Sequence, residues 1–354
     1  MKEESWVQWE NGEKKPTLNQ LVSIAKLLDR TPAFFYLNQL PEEEKPLSEF
    51  RTVNNKELEK GSPKLIKVIR EAKRNRMTMI ELYENQNKKP TRIPDMNSFT
   101  GTIQEQAKQI REWLGVSMDT QKSWISSSQA LTNWKNLIEE KDIYVVQFPF
   151  VEVEECRGFA IAEEKIPVIG INPKDSYNAR IFTLIHELAH VLYRESILIN
   201  DSLVDYFTSG KSLEQICNRL AAETLVPKCS LESEFNADKN RFREIKRLSR
   251  RFRVSGYVML IRLKTEGLIS NKEYRDLKPE FSFYDVSGKG SDSGDPYFNQ
   301  IVRKGKLYLR TAFQSYFDNQ INVVELANLT GWKVPNLNKL AAKTFGWPKE
   351  GRYV

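Results

Sequence analysis

Histidine is the scarcest reactive residue in this chain. Its 354 residues include two His, against 54 Lys+Arg and 47 Asp+Glu. Any imidazole chemistry therefore sits at His186 or His190. Cysteine is nearly as rare. Cys156, Cys217 and Cys229 are odd in number and lack CxxC spacing. That excludes a disulfide scaffold and points to a reducing compartment, so a cytoplasmic location is expected. No apolar run approaches the roughly 20 residues that span a bilayer. The N-terminal MKEESWVQWENG has no apolar h-region. Neither a membrane partner nor a signal peptide is expected. With 40% hydrophobic and 29% charged residues, the composition argues against wholesale disorder. The length predicts two or three folded units.

Positive charge is what the chain has in excess, by seven. An excess of that size lies within 51–92, where twelve basic side chains meet five acidic ones. Beneath them Leu65, Val68, Ile69, Ala72, Met79 and Ile80 recur at helical spacing, which predicts an amphipathic helix. A second basic run is Arg241–Arg253, RFREIKRLSRRFR. Either could contact DNA phosphates, although a solvated helix face accounts for each by itself.

The periodicity predicts helices over 102–114, 126–140, 176–193, 212–226, 238–252 and 254–266. Strands are predicted at 143–148, 158–162 and 167–171, with Glu163-Glu164-Lys165 as a hairpin turn. Residues 1–40 read as helical, with Thr17 as a cap and Thr31-Pro32 as a stop. Proline-flanked acids at 41–49 and the Gly/Ser/Asp stretch 286–295 read as linkers.

One motif carries chemistry. His186-Glu187-Leu188-Ala189-His190 is an HExxH sequence on a predicted helix. Residues four apart lie about 40° apart around a helix, so both imidazoles can face one point. Two neutral imidazoles suit Zn²⁺. Glu187 can reach a water held there and act as general base. The competing reading is a helix with two satisfied core histidines. A catalytic zinc wants a third protein ligand, and no His remains, so Asp, Glu or Cys must supply it. Glu214 is the foremost candidate, on a helical face shared with Cys217 or Asn218 and Ala221. Glu223, read as solvent-facing, and the loop residues Asp201 and Asp205 are alternatives. Cys217 reads better as a small buried hydrophobe than as a ligand. Tyr177, Arg180 and Tyr193 are within reach as donors to a developing oxyanion, with none distinguished.

At these residues the sequence resembles the ImmA/IrrE family of bacterial and phage zinc metallopeptidases. The resemblance begins at Pro167-Val168-Ile169-Gly170-Ile171-Asn172 and runs through Arg180-Ile181-Phe182-Thr183-Leu184-Ile185 into HELAH. It continues through Glu214, Asn218-Arg219, Ala221-Ala222 and Leu225-Val226-Pro227. It implies Zn²⁺ on His186, His190 and Glu214, with Glu187 as base, in a compact, mostly helical core with a short sheet. Phe252-Arg253-Val254-Ser255 and Val258–Leu263 resemble the helix-turn-helix-like element that follows the zinc helices in that family. VQWENGEKKPTL, at 7–18, resembles the recognition-helix end of a repressor-type (XRE) helix-turn-helix. Leu21, Ala25 and Leu28 are expected on its next core helix. Ser48–Thr52 resembles the junction of fusions between the two, and 297–346 resembles their tail, with helix-turn-helix-like spacing over Asn322–Leu340.

The expected fold class is α+β. A mostly helical, zincin-like metallopeptidase core with a short sheet is flanked by a partial helix-turn-helix and a small helical C-terminal module. The expected boundaries are 1–40, 41–100 (linker and basic helix), 101–285 (peptidase) and 286–354. The resemblance implies a zinc endopeptidase that cuts a repressor-like regulatory protein in stress response or mobile-element control. The alternative is a non-catalytic zinc-containing transcriptional regulator or antitoxin.

Overall fold

The computed structural model describes residues 3–27, 32–37, 62–195, 197–199, 213–284 and 296–346. It is mostly helical with one small sheet, an α+β arrangement. Among the described residues no helix is long and apolar enough to cross a membrane.

Helices α1 (Glu3–Glu10) and α2 (Leu18–Leu27) lead the chain. Thr17 caps α2 as expected: its hydroxyl accepts from the Gln20 amide, while Gln20 Oε1 accepts from the Thr17 amide. Leu21 and Ala25 are buried. Leu28 and the junction Ser48–Thr52 lie outside the described residues.

Next come α3 (Pro63–Asn85), α4 (Ile103–Leu114), α5 (Met118–Ser123) and α6 (Ser127–Glu139). Their starts follow from local chemistry. Ser62, Thr102, Ser117 and Ser126 each accept a first-turn backbone amide on the side chain. Gly115 ends α4 at φ 76°, a left-handed position that only glycine adopts without strain.

Strands β1 (Tyr144–Gln147), β2 (Gly158–Ile161), β3 (Val168–Ile171) and β4 (Ile197–Ile199) form the sheet in the order β1-β3-β2-β4. β1 pairs with β3 in parallel; β2 is antiparallel to both β3 and β4. β2 and β3 thus make the expected hairpin. β1, β2 and β3 are buried at every residue, which explains their continuous apolar character. Alternate side chains serve two cores. Val145, Ala160, Ile169 and Ile171 join the core that contains α4, α6 and α7 (Tyr177–Leu192). Tyr144, Val146, Phe159, Ile161 and Val168 join the other.

On the first face lie α7, α8 (Leu213–Leu225), α9 (Lys228–Glu234), α10 (Arg241–Phe252), α11 (Gly256–Thr265) and α12 (Asn271–Tyr284). On the second face α3 meets the C-terminal helices α13 (Pro296–Lys304), α14 (Lys306–Phe317), α15 (Val323–Thr330) and α16 (Leu337–Phe345). The Tyr144 hydroxyl ties this face together, accepting from Asn75 Nδ2 at 3.2 Å and donating to the Lys304 carbonyl at 2.8 Å.

Candidate metal centre

Ser176 caps α7, its hydroxyl accepting from the Ala179 amide. From Ala179 to Leu192 every residue of the helix is buried. One side packs on β2 and β3, another on α8 and another on α6. A helix enclosed in this way cannot send His186, Glu187 and His190 to solvent. They must be satisfied inside.

The two imidazoles and Glu214 converge. His186 Nε2 and His190 Nε2 are 3.0 Å apart. Glu214 Oε1 lies 3.2 Å from His186 Nε2, and Oε2 lies 3.1 Å from His190 Nε2. Exposure is 1%, 0% and 7% for His186, His190 and Glu214. Hydrogen bonds satisfy this triangle only in part. A neutral imidazole offers one N–H, and if both rings aimed it at Glu214 the two donors would oppose each other across 3.0 Å. Protonation does not resolve it for His190, because burial foremost, and then the neighbouring His186, hold its pKa down at about 4 against the pull of Glu214. A cation in the middle would accept all three lone pairs. Ligands about 2.0–2.1 Å from a tetrahedral zinc lie about 3.3 Å from one another. The Nε2–Nε2 distance of 3.0 Å, and the 3.2 and 3.1 Å from the two rings to the two oxygens of Glu214, are close to this. These three residues form a group that could hold a metal ion.

The surroundings orient the group. His190 Nδ1 faces Cys217 Sγ at 3.8 Å. Burial pushes the Cys217 thiol well up, so it stays protonated, on the far side of the ring from Nε2. Its place is that of a buried hydrophobe rather than a ligand. Asn218 Nδ2 donates to Glu214 Oε1 at 3.3 Å, fixing the carboxylate from the next turn of α8. Burial opposes ionisation of Glu214, but its interaction with His186, and then the hydrogen bonds from both imidazoles, outweigh it and hold the carboxyl below its usual range.

Glu187 lies on the sheet side. It is fully buried, and among the described residues neither carboxylate oxygen has a hydrogen-bond partner. Burial, then the nearby Glu214 charge, hold its carboxyl well above the usual range. The room it occupies comes from Gly158 on β2. A Cβ there would meet Thr183 Cγ2 at 2.4 Å and Glu187 Oε1 at 2.7 Å. Sequence reasoning did not single out Gly158. A glycine inside an apolar strand was the available signal, since it marks close approach of another group.

The other candidates lie elsewhere. Glu223 is buried rather than solvent-facing: Arg262 Nη2 lies 2.5 Å from Oε2, and Oε1 accepts the Lys228 amide at 2.8 Å. It is a structural ion pair. Asp201 and Asp205 fall outside the described residues. Arg180 donates to Gln147 Oε1 at 3.1 Å and stacks on the Tyr177 ring, about two helical turns before Glu187. Tyr193 is half-buried, one turn beyond His190. Neither phenol nor the guanidinium joins the triangle of ligand atoms.

A search of curated proteins gives no match. Residues 138–264, from the end of α6 through α11, match the Peptidase_M78 family model, the IrrE N-terminal-like domain, which supports a metallopeptidase of the ImmA/IrrE type.

Proposed function

We propose that this chain is a zinc-dependent endopeptidase that cuts a repressor-like regulatory protein. His186, His190 and Glu214 hold the ion, and Glu187 is the general base. The observation that carries this reading is the pairing of a buried triangle of potential metal ligands with an unpartnered, fully buried carboxylate beside it. A core designed only for packing has no use for either.

When bound, zinc supplies Lewis acidity toward a water and a peptide carbonyl. The protein residues do the rest. Glu187 takes a proton from the attacking water and returns it to the leaving amine. Asn218 keeps Glu214 aimed at the imidazoles, and the Cys217 contact keeps His190 turned with Nε2 inward. The apolar walls of α7 exclude bulk water.

The repressor-like substrate rests on the WENG-containing helix pair at the N-terminus beside HELAH on one chain. Zinc-loaded protein incubated with candidate repressors should give one discrete cleavage that disappears with Glu187→Gln. Unchanged cleavage by that variant would remove Glu187 from the mechanism; zinc binding without any cleavage would favour the regulator.

A further inference from the structure

The basic run Arg241–Arg253 has no part in the metal centre. It folds as α10, which buries Ile245, Leu248 and Phe252 and turns its cations outward. Arg243, Lys246, Arg247, Arg250, Arg251 and Arg253 line one surface depression, and all six lining residues are basic. Positions 243, 246/247, 250 and 253 recur every three or four residues. The first of these, 243 to 250, therefore share a helix face about 10 Å long, and Arg253 follows in the cap of the helix. Part of this face is engaged within the protein: Arg247 and Arg251 pair with nearby acids, and Arg253 donates to the Trp124 carbonyl. Glu244 is fully buried and engaged by Arg247 and the Asn236 amide. Glu234 is shared among Lys122, Arg247 and Arg251. Arg243 and Arg250 extend from the exposed surface.

We propose that this face of α10 binds the phosphate backbone of duplex nucleic acid without reading its sequence. Five of the six lining residues are arginine, whose planar guanidinium matches phosphate oxygens in pairs. None of the six is apolar. A protein partner would want an apolar or aromatic anchor at the centre of its footprint, and the depression offers none. The chain beyond α10 explains the lack of sequence reading. The short turn at 253–255 leads directly into α11. Yet α11 is buried from Tyr257 through Leu263, so it has no free face to enter a groove. Contact is left to α10 and to phosphates.

The test uses the full chain and a labelled random-sequence 20-base-pair duplex, followed by fluorescence anisotropy between about 50 and 200 mM salt. Affinity should fall steeply with salt. Arg243→Ala/Arg250→Ala should weaken binding and lower the log–log salt slope by about 2, one for each phosphate no longer neutralised. Lys88→Ala/Lys89→Ala removes the same charge from an exposed turn after α3 and should leave the slope unchanged. Circular dichroism establishes that both variants fold. Absence of duplex binding at the lowest salt would overturn the proposal, as would equal losses in the two variants. Competition by poly-glutamate of equal charge as effective as by unlabelled duplex would assign the face to an acidic protein instead. Glu187→Gln should bind duplex like the unaltered chain, which separates this result from the peptidase reading.

Discussion

Helix α8 carries two buried carboxylates, Glu214 and Glu223, with opposite surroundings. Glu223 is satisfied by the protein itself. Arg262 pairs with it and also donates to the Val226 carbonyl at 3.0 Å and to Glu266 at 2.6 Å. Charge is balanced there, and hydrogen-bonding capacity is used. Glu214 meets two imidazoles and an amide, with Glu187 unpartnered close by. Burying a carboxylate without a cation is costly, and proteins avoid it unless the site serves a purpose. Two ends of one helix thus separate a structural ion pair from a group that could hold a metal ion.

The largest effect should fall on catalysis. Glu187→Gln keeps the shape of the side chain but removes the proposed base. Cleavage should drop by about 10²–10⁴-fold, while zinc binding by calorimetry is retained. Breaking the other end of α8 should do the reverse. Arg262→Ala leaves Glu223 buried and unpaired, and should destabilise the fold by about 3–5 kcal/mol in chemical denaturation. Zinc affinity, corrected for the folded fraction, should stay the same. A large change in that affinity would mean the two ends are not independent.

Smaller effects test the surroundings. Asn218→Ala frees the Glu214 carboxylate, and zinc affinity should fall about 10–100-fold with little loss of stability. Gly158→Ala forces a methyl against Thr183 and Glu187, at about 1–3 kcal/mol of overpacking. Its cleavage rate should fall with zinc affinity unchanged. Adding Thr183→Ser removes the nearer clash and should restore part of the rate; no recovery would show that Gly158 does not set the position of Glu187.

The mildest contrast is with pH. His190 titrates near 4 when folded and near 6.5 when unfolded, because burial disfavours its charged form. Between these values the unfolded chain binds the extra proton, so this group makes the metal-free protein less stable as pH falls from about 6.5 to about 4. His190→Gln should flatten that part of a denaturation series. An unchanged slope would remove His190 as its source.

The sequence disclosed the elements whose causes are local. The helix starts near 102, 126 and 176 and the apolar spacing of α4, α6 and α7 are written within a dozen residues of each start. β1, β2 and β3 were legible as short apolar runs. α5 and α9, six and seven residues long, are too short to show a period. β4 has three residues, and α12 holds Pro279 inside it, which in sequence argues against a helix. In the candidate site, HExxH gave three residues and helical facing suggested Glu214. The pairing of Glu223 with Arg262, and the space that Gly158 leaves for Glu187, depend on residues brought together only by the tertiary fold. The Thr17 cap of α2 and the buried positions Leu21 and Ala25 were legible too, because these are also local.

The most direct test of the account is zinc stoichiometry and coordination. The purified chain, equilibrated with zinc and dialysed, should hold one ion per chain, with X-ray absorption reporting two imidazole nitrogens and a carboxylate oxygen. Glu214→Ala should lose most of that binding. A chain that holds no zinc, or a Glu214→Ala variant that holds it as tightly as the unaltered protein, would contradict the account.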